Sequence, residues 1–165
     1  MRGLEKRRGQ VTLEFALIAA GAMIPLTFGM IFMAQILWIW HSVNELTRMG
    51  ASYAATHCWQ SSAGNVTSFM LTNLPAMPYQ DQFLNGPVQI NVSYFAEDPT
   101  TGTLTPFSCD GDCTNGCIPD VVTVSISGFQ YQAFAGIAPI ILPNFQTTMP
   151  IQSCGCDPEQ GVCLP

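Results

Sequence analysis

The sequence predicts an α+β protein in which a long N-terminal transmembrane helix continues into a small exported domain with a second helix and a three-stranded antiparallel sheet, rich in disulfides. Three observations predict it. The run from Phe15 through Trp40 is apolar and carries no charge after Glu14. Downstream, the spacing of apolar residues changes from helical to alternating. All seven cysteines lie after the run, at positions 58, 109, 113, 117, 154, 156 and 163.

The run is long enough to cross a membrane: at about 1.5 Å per residue a helix from Phe15 to Trp40 reaches about 39 Å, against a hydrocarbon core of about 30 Å. A cleavable secretory signal has a shorter apolar region, about 7–15 residues, ending at a small-residue site. This run instead ends on Trp38, Ile39 and Trp40, which suit an interfacial aromatic anchor. Within it, Pro25 removes one intrahelical hydrogen bond and favours a kink. Gly21, Ala22, Gly29 and Ala34 are small enough to let another helix approach. Gln35 is an amide that seeks a partner in lipid. The organisation that follows is a leader at 1–9, a transmembrane helix at 10–40 and an extracytoplasmic domain at 41–165.

Charge divides the same way. Arg2, Lys6, Arg7 and Arg8 precede the run with Glu5, whereas everything after Gly9 carries ten acidic residues against Arg48 alone. The basic leader therefore stays cytoplasmic and the remainder is exported. An acidic domain argues against nucleic acid as a partner, since binding it demands clustered Lys and Arg.

From His41 the helix continues into water, because Ile39, Val43, Leu46, Gly50, Tyr53 and His57 recur at helical spacing. Gly50 costs about 1 kcal/mol against alanine there, which a close packing partner would explain. Ser61 or Ser62 can cap a second helix carrying Val66, Phe69, Met70 and Leu74, stopped by Pro75 and Pro78. Alternation then marks strands at Val88–Tyr94 and Val122–Ser127. A third runs from Phe145 to Gln152, where Pro150 suits only an edge. The insert from Ala96 to Asp120 reads as a loop rich in Gly, Thr, Pro and Asp. The apolar stretch 134–143 reads as a lid over the sheet or a docking patch for another subunit.

Cysteines confined to an exported region point to disulfides. Cys109, Cys113, Cys117, Cys154, Cys156 and Cys163 are the candidates, with connectivity open. An odd count leaves one thiol free or intermolecular, and Cys58, isolated from both clusters, is the candidate for it. No metal or other cofactor is expected: the spacings do not suit zinc, and the histidines, His41 and His57, lie far upstream. Asp110, Asp112, Asn115 and Asp120 resemble a calcium loop only loosely, with the glycine one place late and no closing glutamate. No phosphate loop, His-Glu-x-x-His or serine elbow is present. Nothing in the sequence assigns a catalytic residue.

The junction Arg7-Arg8-Gly9-Gln10, with Glu14-Phe15 after it, resembles the processing site of type IV prepilins. Together with Ala16-Leu17 and with Gly50-Ala51-Ser52-Tyr53-Ala54-Ala55 beyond the span, it is similar to the TadE-like family of the bacterial tight-adherence (Flp) pilus machinery. Ser52 stands where that family commonly has arginine, and Ala34-Gln35 lacks an acid often found late in the span.

The resemblance implies cutting between Gly9 and Gln10 by a prepilin peptidase, an inner-membrane location and a structural role in adhesion and secretion machinery. It also implies other pilin-like subunits, an inner-membrane assembly platform and membrane lipid as partners. Glu14, with Phe15 beside it, becomes an assembly residue: a carboxylate at the bilayer edge is costly alone, and a neighbour's new ammonium at Gln10 can pair with it. Read without the resemblance, Glu14 is an acid near the positive end of a helix. The alternative function is an uncleaved bitopic envelope protein whose disulfide-rich domain binds a ligand or ion, and a membrane-tethered thiol enzyme is a third.

Overall fold

A computed structural model of the chain describes residues 3–59, 65–110, 117–132, 138–151, 156–157 and 162–163. It divides into two compact units, Met1–Trp38 and Ile39–Pro165.

The first unit is helical. α1 spans Gly3–Ile18 and passes through a single π-helical turn at Ala19–Met23 into α2, Ile24–Thr56. In that turn the Ile24 N–H reaches back to the Ala19 carbonyl. The turn lies immediately before Pro25, which has no N–H to offer the carbonyl of Gly21, and widening the helix there accommodates the gap. No described side chain from Gln10 to Trp38 is buried.

In the second unit α2 becomes one-sided. Ile39, Val43, Leu46, Ala51 and Ala54 are at most 1% exposed, at the helical spacing that the sequence predicts. His41, Glu45, Arg48 and Ser52 stay exposed on the other side. α3 (Asn65–Thr72) supplies Met70, also fully buried. A Cβ placed on Gly50 would lie 2.9 Å from the Met70 side-chain Cγ and nearer still to its sulfur. The close partner expected for Gly50 is therefore Met70. The residues expected to cap α3, Ser61 and Ser62, lie outside the described residues.

The main sheet has four strands, not the predicted three. Its order is β2 (Leu104–Pro106), β1 (Gln89–Glu97), β3 (Val121–Ser127) and β6 (Phe145–Pro150), all antiparallel. β3 turns Val122, Val124 and Ile126 into the core, following its alternating sequence. β6 is an edge, and Pro150 sits at its end opposite Val121, the position where a missing N–H does least harm.

The additional strand, β2, lies inside the stretch read as a loop. All three of its residues are exposed, so no alternation betrays it. Its pairing with β1 is fixed by the turn between them. There the Asp98 carboxylate accepts from the Thr100 N–H (2.8 Å), the Thr100 hydroxyl and the Thr101 N–H (3.3 Å). Gly102 closes the turn at φ +67°.

Three short elements complete the unit. α4 (Gln82–Asn85) precedes β1, β4 (Gln130–Tyr131) pairs with β5 (Ile140–Ile141), and β7 (Cys156–Asp157) pairs with β8 (Val162–Cys163). The Gln82 side chain fastens α4 to β4, donating to the Gln130 carbonyl at 2.7 Å and accepting the Gln130 N–H at 2.9 Å. Gly128 leads into β4 at φ +81°, with the Pro87 carbonyl oxygen 2.5 Å from where a Cβ would be.

Candidate functional site

Gly9, Gln10, Glu14 and Phe15 all lie on α1. Gln10 and Glu14 are four apart and share a helix face. The Gln10 amide donates to Glu14 Oε1 at 3.4 Å, a long contact between a neutral group and a carboxylate, so the carboxylate's charge gains little from it. Phe15 is 68% exposed, and Val11, Leu13, Leu17 and Ile18 around it are exposed as well. From Gln10 onward the surface presented is a helix with large apolar groups on every side and Glu14 near the start of that stretch. Such a rod suits a hydrocarbon solvent or a bundle of similar helices. The helical stretch Gln10–Thr56 is long and apolar enough to cross a membrane.

The cysteine expectations meet a mixed outcome. Cys109 and Cys117 form a disulfide across a separation of 8 residues, with Cα atoms 5.9 Å apart. Cys113 and Cys154 lie outside the described residues, as do the side chains of Cys156 and Cys163. Cys58 corrects the sequence reading: it is disulfide-bonded, not the odd thiol. Its neighbour shows why. The Trp59 indole donates to the Cys117 carbonyl at 2.8 Å and meets the Phe107 ring edge-on at 5.2 Å. The segment just past α2 therefore abuts the cysteine loop, and a separation of some fifty positions in sequence concealed that proximity.

His57 and Cys58 do not form a nucleophilic pair. The His57 ring stacks on Tyr53 at 3.7 Å, and Tyr53 stacks on Phe69 at 4.1 Å. Its Nδ1 lies 2.8 Å from the Tyr53 carbonyl. Asp120, one of the loose calcium candidates, accepts the Glu97 N–H at 2.8 Å. Asp110 is exposed, and Asp112 and Asn115 fall outside the described residues. Among the described residues no group of three or more His, Cys, Asp or Glu side chains converges. Burial, with a smaller contribution from Tyr79, pushes the Tyr131 phenol above its ordinary value of 10.0. That ring is a core group set edge-on against Tyr79 at 5.9 Å.

One concavity was not foreseen from the sequence. An open groove of about 600 Å³ runs along the exposed side of α2, lined by Glu45, Arg48, Met49, Ser52, Tyr53 and Thr56, with Phe69 of α3 and Met149 of β6. It contains Arg48, the one basic residue after the leader. Its lining comes from three elements remote in sequence, and only the helical spacing of Glu45, Met49 and Ser52 was available to hint at it.

Residues 9–52 match the family model described as TadE-like protein, the family that the leader junction and the helix beyond the span resemble. The matched segment begins at Gly9, contains Glu14 and Phe15, and ends in the part of α2 that lines the groove. No curated protein and no solved structure matches the chain.

Proposed function

We propose that the chain is a minor pilin or pilin-like structural subunit of a tight-adherence pilus. Residues 1–9 form a cytoplasmic leader, cut after Gly9 by a prepilin peptidase. Residues 10–40 span the bacterial inner membrane, and residues 41–165 form the extracytoplasmic domain. The observation that carries this reading is the unburied apolar helix of the first unit, lying within the segment matched by the TadE-like family.

Assembly follows from the physics of that helix. Leaving lipid for a bundle of pilin helices exchanges one apolar surrounding for another, so packing of small residues and polar pairing decide the outcome, not the hydrophobic effect. Glu14 supplies the polar pairing. Among the described residues its hydrogen-bond contact is the long one from Gln10, whereas the ammonium that cleavage creates on a neighbouring subunit can neutralise it. The inner-membrane assembly platform and the other pilin-like subunits are the partners this route requires.

Intact mass and assembly test the reading together. The protein purified from cells containing the peptidase is expected to lack residues 1–9. Glu14→Ala is expected to leave insertion and cleavage intact while lowering pilus assembly several-fold. A polypeptide still beginning at Met1 in such cells would sink the pilin reading and leave a tethered envelope domain. Normal piliation by Glu14→Ala would remove the pairing role alone.

A further inference from the structure

The second unit has two chemically different ends. α2 and β6 run in the same sense, as three contacts along them show. The Trp40 ring meets the Phe145 ring at 4.9 Å, the Thr47 and Thr147 hydroxyls are 3.0 Å apart, and Ser52 and Thr56 share the groove wall with Met149. The Phe145 end of β6 is therefore the Trp40 end of the helix, where the apolar run stops.

The antiparallel registers carry that end across the sheet. Phe145 faces Ile126, and Ser127 faces Gln89. The β4–β5 ribbon, which follows Ser127 and precedes Phe145, lies at this end, as does α4, which precedes Gln89. Leu142 donates its N–H to the Phe129 carbonyl at 2.9 Å, and Gln82 ties α4 to Gln130.

The exposed apolar side chains gather there: Trp40 at 41%, Leu84 at 61%, Ile140 at 52% and Ile141 at 68%. Ile140 and Ile141 are successive strand residues pointing to opposite faces, and both are open, although Tyr131 opposite Ile140 is buried. Among the described residues Asp81, beside α4, is an acid at this end. The opposite end, where Phe95 pairs Val121 and Val121 pairs Pro150, carries Glu97, Asp98 and Asp120. Its exposed apolar residues are Leu104 and Ile118.

We propose that the Trp40, Leu84, Ile140 and Ile141 patch rests in the outer leaflet of the membrane that the first unit spans, giving the domain a second, interfacial lipid contact. The inference rests on the membrane-span reading above. Lipid is the occupant because this is the end of the unit at which the apolar run stops, with the Trp40 ring against Phe145. Aromatic and aliphatic side chains settle about 5–10 Å into the headgroup and acyl boundary, while carboxylates avoid it. With Glu97, Asp98 and Asp120 at the far end, the domain can lie down without burying them. The contact holds the domain against the bilayer until the helix is drawn out for assembly.

The test uses the full chain in vesicles of phosphatidylethanolamine and phosphatidylglycerol. An environment-sensitive fluorescent amino acid is placed singly at positions 141, 84, 26 and 104, and quenching by doxyl-labelled lipid is measured. Strong quenching at 26, 141 and 84, several-fold above that at 104, is expected. Quenching at 26 with none at 141 and 84 overturns the interfacial contact and leaves the span standing. Equal quenching at 104 and 141 overturns the two-ended orientation. A blue shift at 141 without quenching means protein covers the ribbon in place of lipid, which also overturns it. Absence of quenching at 26 defeats the span reading and this inference with it.

Discussion

Two stretches of nearly continuous helix, residues 10–38 and 39–56, are both rich in apolar residues, yet none of the described side chains in the first is buried and a full stripe of the second is. The difference lies in how the apolar residues are arranged. In the first stretch large side chains go all the way round, so one neighbour inside the chain could cover only part of the surface, and an apolar solvent or several helices are needed. In the second they keep to one side, and small ones, Gly50, Ala51, Ala54 and Ala55, let α3 and the sheet come close. Hydrophobicity alone does not tell a core helix from a lipid-facing one; angular distribution and side-chain size do.

Shortening one leucine in each stretch should have different consequences. Leu46 is 1% exposed and Leu26 is 59% exposed. Leu46→Ala removes packed atoms and leaves a void in the second unit, which is expected to cost about 2–5 kcal/mol. Leu26→Ala removes atoms that touch only the surrounding solvent or lipid and is expected to leave that unit's unfolding midpoint unchanged. Chemical denaturation of the detergent-solubilised chain, followed by Trp59 fluorescence with Trp38 and Trp40 replaced by Phe throughout, reads the difference. Comparable losses from both changes would mean that the two stretches unfold as one packed structure.

Glycine offers a finer comparison with a smaller effect. Gly29 has nothing within 4 Å of an added Cβ, whereas Gly50 has the Met70 side chain against it. Alanine normally favours a helix over glycine by about 1 kcal/mol, but overpacking a filled site costs about 1–3 kcal/mol. Gly50→Ala is therefore expected to destabilise the second unit by about 1 kcal/mol net, and pairing it with Met70→Ala should recover part of that loss. Gly29→Ala should not move the same midpoint. A stabilising Gly50→Ala would show that Met70 gives way without cost and that the close approach is not needed.

What the sequence disclosed follows the same division between pattern and proximity. The long apolar helix was legible from its length without charge, and the one-sided helix beyond it and strands β1, β3 and β6 because each repeats a period over several residues. β2 was not, because Leu104, Thr105 and Pro106 are all exposed and the strand is held by its turn and pairing, with no buried face to print a pattern. β4 and β5 are two residues each, too short for a period. Gly9, Gln10 and Glu14 were read as a junction motif from their spacing, and the TadE-like match begins at Gly9. Cys58 was misread because disulfide pairing joins segments that only the fold brings together, and the groove on α2 was hidden for the same reason.

The smallest expected effect lies at the acidic end of the second unit and asks how far its order extends. Asp98 is exposed, and its carboxyl is held below the ordinary 3.8, first by the Thr100 hydroxyl and then by the Thr100 N–H; desolvation acts the other way, and Thr101 adds a weaker lowering. A carboxyl with a lower value in the folded state contributes stability that is complete above the unfolded value and is lost as pH falls through the folded one. The β1–β2 turn is therefore expected to loosen below about pH 4, with lower amide protection, measured against the intrinsic exchange rate at each pH, at Thr100, Thr101 and Gly102. Asp98→Asn should flatten that dependence, since its amide oxygen can accept the same hydrogen bonds but has no proton to gain. The buried stripe of α2 should show no matching change over that range. If the wild-type turn is equally protected on both sides of pH 4, the Asp98 bonds do not hold β2 in place, and backbone pairing between Glu97 and Leu104 must do so.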